Sequence, residues 1–371
     1  MSERSSGAFL VGLEFEGTGA HPYSWRREDS RAEDLFTPSY WVDLVTTADR
    51  GGVDLAFLPD SFGLQSEGRH AVRGRLEAVA TAARLSAVTS RIGLIPTATV
   101  THTEPFHISK AVASIDYSSA GRAGWQVAVS DTAEQAALFG RKTVQVLSLR
   151  GRKRPRLSRW SVGCGTAGRT TPRYVTLRAD DSSIGTSCTT STSRERAFPS
   201  RARPSRRAPR RQPLIAVDAS RPEARELAVA RGDLIRISAT DLAEAKTTAK
   251  LVHASAAALG RSVRVLLDVD VLLGADRGAA DDALAELEEW AGAPYAPHSL
   301  FYRGDSAGLT ALLREIGGLA GIDGVVLRPL ALAAAVEKIA TDVVPTLNPR
   351  PSTAPTLRER LGFQLPVNQF A

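Results

Sequence analysis

Residues 92–130, IGLIPTATVTHTEPFHISKAVASIDYSSAGRAGWQVAVS, constrain the fold more than any other stretch. The apolar run at 92–100 reads as a buried strand. From 105 to 117 apolar residues recur at helical spacing. Pro105 suits a first helical turn because its missing N–H would have no partner there. Gly121 and Gly124 break that helix, and AGWQVAVS reads as another buried strand. Strand, helix, strand makes one βαβ unit.

The same alternation runs along most of the chain. FLVGLEFE at 9–16 is a first strand, followed by the polar loop GTGAHPYSWRRED and a helix at 40–50 that Gly51 and Gly52 stop. VDLAFLPD is a second strand ending on Asp60, and an amphipathic helix at 75–90 leads to the strand at 92. After residue 212, PLIAVDAS runs into the helix PEARELAVARG, and DLIRISAT leads into a helix at 241–259. VRVLLDVDVLLG is the longest apolar strand and precedes an acidic helix at 281–290. GAPYAPHSLFYRGD reads as a loop before a helix at 309–319, and GIDGVVLRP is a last strand before a helix at 332–344. Strands starting at Phe9, Val53, Ile92, Ala123, Pro213, Leu234, Val263 and Ile322 match the strand number of an α/β (β/α)8 TIM barrel. A doubly wound parallel sheet is the competing architecture. At 371 residues the chain can fill one barrel-sized domain, 1–371, or two smaller ones.

TATVTHTEPFHISK followed by ASIDYSSAGRAGWQVAVS resembles the bacterial luciferase-like flavin monooxygenases, in the branch of the nitrilotriacetate and dibenzothiophene-sulfone monooxygenases. Those enzymes carry a similar hydroxyl-rich strand, a Pro-aromatic helix start and a GRAGW strand. The ending TLRERLGFQLPVNQFA is also similar to theirs. The resemblance implies a barrel whose enzymes use reduced FMN and O2 to oxidise a small organic substrate through a flavin peroxide. It further implies a separate NAD(P)H flavin reductase that supplies the flavin, and assembly as a homo-oligomer. A deazaflavin-dependent oxidoreductase of the same superfamily is one alternative. A catalytically impaired, nucleic-acid-binding scaffold is another.

Residues 142–211 break the alternation. From 141 to 211 there are 19 Lys plus Arg against three acidic residues, whereas the rest of the chain has 28 basic and 37 acidic residues, a net −9. Three readings of this irregular basic segment stay open. A basic insertion could neutralise phosphates with RGRKRPR and RARPSRRAPRR. A long loop could form a lid over the site. The third is translation in a shifted frame: reading each codon's third base with the next codon's first two lets 174–200 spell IRDVASGRLVDRDKLHHVDFEGARFSV, which is similar to what relatives carry before the strand at 213. Relatives also place a flavin-holding His and Tyr in the helix after GRAGW, and no counterpart stands between Phe139 and Trp160.

In a barrel the site lies at the carboxyl ends of the strands, so polar residues there are the candidates. The resemblance places the carboxylate of Asp60 beside the flavin ring; without it, Asp60 could equally cap a turn. Thr97, Thr99 and Thr101 share one face of their strand, and Thr99 matches a flavin-contacting hydroxyl. Ser220 stands at a strand-to-helix junction suited to the flavin phosphate, although DASRPEAR lacks the glycines that relatives have there; Arg221 could compensate, and a plain N-cap is the other reading. His21, with Trp25 and Arg26, lies in the loop that borders the substrate pocket in relatives, and could act as acid or base. His102 and His107 flank the Pro-aromatic helix start, where His107 is expected to be structural, whereas His70, His253 and His298 have no nameable partners. The loops at 17–29 and 292–305 are expected to line the pocket. Cys164 and Cys188 lack the spacing of a metal site, and no P-loop is present. No run reaches the roughly 20 apolar residues that span a bilayer. The start MSERSSGAF is polar, so the expected location is the cytoplasm.

Overall fold

The computed structural model describes residues 9–63, 72, 74–103, 105–130, 132–140, 213–347 and 354–364. The segment 142–211 and the three readings of it, along with His70, Cys164 and Cys188, lie outside the described residues. The strands are β1 (Leu10–Glu14), β2 (Leu55–Leu58), β3 (Gly93–Thr99), β4 (Gly124–Ala128), β5 (Leu214–Asp218), β6 (Leu234–Ile237), β7 (Arg264–Leu273), β8 (Leu300–Gly304) and β9 (Gly324–Pro329). β1 to β7 pair in sequence order, β7 pairs with β9, and β9 returns to β1, all in parallel. The ring is therefore a closed eight-stranded parallel barrel, as the alternation predicts.

Its helices are α1 (Pro38–Gly51), α2 (Ala78–Ser86), α3 (Pro105–Ser118), α4 (Ala133–Phe139), α5 (Pro222–Arg231), α6 (Leu242–Ala258), α7 (Arg277–Ala291), α8 (Ser306–Gly318), α9 (Leu332–Lys338), α10 (Val344–Leu347) and α11 (Leu357–Arg360). Side chains of Thr37, Glu77, Thr132, Asp241, Asp276 and Asp305 accept first-turn amides of α1, α2, α4, α6, α7 and α8. Each satisfies a donor that the helix itself leaves unpaired.

Two elements depart from expectation. β8 forms inside the presumed loop GAPYAPHSLFYRGD. β7 has ten residues and β6 only four, so the upper backbone of β7 would be left with an unpaired edge. β8 fills that edge in register from Val269↔Leu300 to Leu273↔Gly304. The single helix expected at 332–344 instead widens into a π-turn at Ile339–Val343. Gly51 of α1 lies against that turn, where a Cβ would stand 2.5 Å from Ala340 Cα.

The barrel interior has two layers. The lower one is apolar: Leu55, Phe57, Ile95, Leu214, Leu234 and Val326 pack together, and Leu357 and Leu361 of the α11 region close it from below. Outward residues such as Val11, Leu13, Leu94, Val265 and Leu267 bury the apolar faces of the helices. Arg122, the arginine of GRAGW, is buried in this outer shell. It donates to Ser119 O at 2.9 Å, Thr89 Oγ1 at 2.9 Å, Ile92 O at 2.8 Å, Thr89 O at 2.9 Å and Ser86 O at 3.2 Å. It thereby fastens the ends of α2 and α3 to the start of β3. The Asp49 carboxylate accepts the amides of Ser90, Arg91 and Ile92 from the other side.

Candidate active site

The upper interior layer is charged. Alternation along the strands turns Glu14, Gln126, Asp218, Arg236, Asp268, Asp270 and Arg328 to the same side as the apolar layer beneath, close to the carboxyl-terminal mouth. Arg236 is the hub. Its Nε and Nη2 donate to Asp268 at 2.9 and 2.8 Å, Nη2 lies 2.7 Å from Glu14 Oε2, Nη1 donates to Gln126 Oε1 at 3.0 Å, and its guanidinium stands 4.9 Å from the Phe57 ring centre. Arg328 donates to Glu14 Oε1 at 2.8 Å and to Asp270 Oδ1 at 2.6 Å. The result is a continuous chain, Asp268–Arg236–Glu14–Arg328–Asp270.

Burial penalises every charge in that chain, and pairing offsets it unequally. Burial opposes ionisation of Glu14, but Arg236 and then Arg328 hold its carboxyl down to about 2. For Asp270 burial prevails over Arg328, and the carboxyl is harder to ionise than usual. A carboxyl depressed by folding contributes stability that is present above its unfolded value of 4.5 and is lost as pH falls through the folded value of about 2. Chemical denaturation at a series of pH values should therefore show stability declining between about 4.5 and 2, and Glu14→Gln should flatten that part of the curve.

The loop 292–299 is fastened to this network. Asp270 Oδ2 accepts the Tyr295 hydroxyl at 3.0 Å and the His298 amide at 2.7 Å. His298 Nε2 lies 3.4 Å from Asp268 Oδ2, and that bond raises the imidazole's pKa against burial and Arg328. At 36% side-chain exposure, His298 reaches both the network and the open mouth. Sequence reasoning left His298 without a partner. The signal was the D-x-D of VRVLLDVDVLLG, two carboxylates two residues apart on a strand buried throughout, which must face a common interior partner.

His21 is buried at 2% exposure, not an exposed loop residue. Its Nδ1 accepts the Tyr23 amide at 3.2 Å, which leaves the proton on Nε2, and its ring centre is 5.5 Å from that of Tyr295. Burial lowers its pKa, so it is a neutral imidazole at pH 7. Gly19 lets this loop approach β9: at φ +147° its Cβ would stand 2.1 Å from Leu330 O.

Asp60, Thr99 and Ser220 follow from or end β2, β3 and β5, and so lie at the same end of the barrel as His21. Asp60 accepts the amides of Ser61 at 2.7 Å and Ala78 at 3.0 Å, the turn-holding use that its position also allowed. Thr97 and Thr99 are buried on the inner face of β3, and among the described residues their hydroxyls have no hydrogen-bond partner. Thr101 Oγ1 instead accepts the Ser130 amide. The Ser220 amide donates to Asp218 Oδ1 at 2.9 Å; Arg221, not Ser220, occupies the N-cap position of α5, and no side chain caps that helix. Above β2 to β4, His102 stacks on Phe139 at 4.9 Å and Phe62 meets Phe139 edge-on at 4.8 Å. His253 finds Gly321 O and Asp323, and serves the outer shell. Unpaired buried hydroxyls, an aromatic wall and an uncapped helix start fit a flat heteroaromatic ring bearing a phosphate. Among the described residues no cluster could hold a metal ion, and no helix is long and apolar enough to cross a membrane.

Residues 17–155 and 187–318 match the luciferase-like monooxygenase family. The chain belongs to that family. It is 40% identical over 129 residues to N-acetyl-S-(2-succino)cysteine monooxygenase of Bacillus subtilis, covering 35% of this chain and 29% of that protein. It is 34% identical over 143 residues to nitrilotriacetate monooxygenase component A of Aminobacter aminovorans, covering 35% of this chain and 32% of that one. The matched stretches thus span about a third of each relative. The solved EDTA monooxygenase of Chelativorans sp. BNC1 shares the fold, with a TM-score of 0.72 at 17% identity over 96% of this chain and 99% of that one. For a luciferase-like barrel, the mouth described above is the end at which chemistry is expected.

Proposed function

We propose that this protein is an FMN-dependent monooxygenase that oxidises a small organic substrate with O2, using reduced flavin from a separate NAD(P)H reductase in the cytoplasm. A homo-oligomer belongs to the same reading. The observation that carries it is the pair of unpartnered buried hydroxyls, Thr97 and Thr99, on the inner face of a barrel mouth whose relatives are named monooxygenases. When bound, reduced FMN supplies the electrons that activate O2.

The protein's own groups divide the remaining work. Thr97 and Thr99, with the aromatic wall of Phe62, His102 and Phe139, would hold the flavin ring. The start of α5 with Ser220 would hold the phosphate. His298, whose protonated form Asp268 favours, offers a transferable proton at the mouth, while His21, whose pKa burial lowers, is suited to accepting a proton or donating a hydrogen bond from Nε2. The layer of ion pairs beneath fixes Asp268 and Asp270, and through them the loop that carries His298.

Flavin titration of the purified chain, followed by oxygen consumption with a flavin reductase, tests the assignment. Thr99→Val should weaken FMN binding by about threefold to tenfold, the worth of a hydrogen bond of order 1 kcal/mol. His298→Gln should lower kcat/KM by about 10²–10⁴ with little effect on flavin affinity. Because the His298 pKa is raised, the protonated form persists to higher pH than for an unpaired imidazole, and wild-type activity should fall as pH rises through that value. A flavin spectrum unchanged by the protein would reject the proposal.

A further inference from the structure

Three arginines follow one another in the loop after β1, and two are neutralised. Arg27 donates to Asp29 at 2.9 and 2.8 Å and faces Glu286 at 3.7 Å. Arg31 pairs with Asp43 at 3.0 Å and with Asp34 at 3.5 Å. Nearby, Arg75 pairs with Glu16 at 2.6 Å. Arg26 has no carboxylate within reach among the described residues. Its guanidinium instead lies 5.0 Å from the Trp290 ring centre and 6.0 Å from that of Trp25. Trp25 Nε1, in turn, is shielded from solvent and has no hydrogen-bond partner among the described residues. Trp290 packs against the same buried cluster of Leu272, Leu284, Leu287, Leu330 and Ala331 as Tyr295, the residue that anchors the 292–299 loop to Asp270. The unspent cation therefore belongs to the wall of the mouth.

Aromatic faces hold a guanidinium without consuming its N–H donors, which stay free along its edge for a planar anion. The two guanidiniums of the interior below, Arg236 and Arg328, are already paired with Glu14, Asp268 and Asp270 and offer such an anion no spare charge. A negatively charged substrate would be held at the rim and kept from sinking. We infer that Arg26, seated on Trp25 and Trp290, recognises a carboxylate on the substrate and so directs the uncharged end of the molecule into the barrel. The substrate class is then a small organic acid whose oxidisable atom lies away from its carboxylate. This inference rests on the monooxygenase reading for its chemistry, but not for its binding.

The test separates the two. N-acetylmethionine, a thioether carboxylate, and N-(dimethyl)glycylglycine, an amine carboxylate, are titrated into the full chain alongside their methyl esters, with tryptophan fluorescence as the readout. Flavin titration is run independently. Each acid should bind the wild type at least tenfold more tightly than its ester. Arg26→Gln should abolish that preference, and Arg26→Lys should keep part of it while losing some affinity. With reductase and FMN present, the Gln variant should raise KM for the acid more than it lowers kcat. Equal binding of acid and ester to the wild type, no binding of either acid, or an unchanged preference in Arg26→Gln would overturn the inference. A failed flavin titration with the acid preference intact would instead reject the monooxygenase reading alone.

Discussion

Arg236→Ala is expected to cost about 3–5 kcal/mol of stability, the range for breaking a buried ion pair from one side. Among the described residues, the substitution removes the only guanidinium that touches Asp268 and one of two that touch Glu14. Both carboxylates would remain deep in the barrel, Glu14 with Arg328 alone and Asp268 with His298 alone to offset their desolvation. Glu14 would then titrate at higher pH, and acid unfolding would begin earlier. Urea denaturation at neutral pH and at about pH 5 distinguishes this from a packing defect: the deficit should shrink at the lower pH as Glu14 becomes protonated. The loop carrying His298 depends on Asp268, so catalysis should suffer even below the unfolding midpoint.

Arg122→Met should be comparably damaging, by about 3–5 kcal/mol, for a different reason. Among the described residues, Arg122 has no carboxylate to neutralise; burial lowers its pKa, with Asp49 opposing from a distance. What it supplies is hydrogen to the carbonyls of Ser86, Thr89, Ile92 and Ser119. A methionine of similar volume fills the space but leaves those acceptors buried and unsatisfied, at about 1–3 kcal/mol apiece before relaxation. Because the residue sits outside the barrel, flavin affinity per folded molecule should be unchanged. Thermal melts combined with flavin titration would show stability lost and binding retained, whereas parallel losses would place Arg122 in the site.

The contrast explains what the sequence made legible. The barrel could be read because each of its eight strands is a short apolar run between turn residues, and buried parallel strands have few other ways to look. GRAGW pointed to the family, yet its arginine proves to be a clasp between helices. Nothing in the motif's wording distinguishes such a clasp from a ligand contact. Asp60 illustrates the same limit: a carboxylate at a strand end serves a turn or a ligand equally well, and here it accepts two backbone amides. His298 was invisible because its partner, Asp268, lies 30 positions away on a strand whose inward face cannot be judged until the ring closes. β8 was missed because its pairing is dictated by a mismatch in length between two other strands. Relations between distant segments, not local composition, carry what the sequence withheld.

Among the described residues, the leucine floor sealed by α11 closes the chamber from below. On the reading proposed above, a large planar guest lodged against β3 would then have to be in place before the acid closes over it at the rim, and exchange of that guest would wait on the acid's departure.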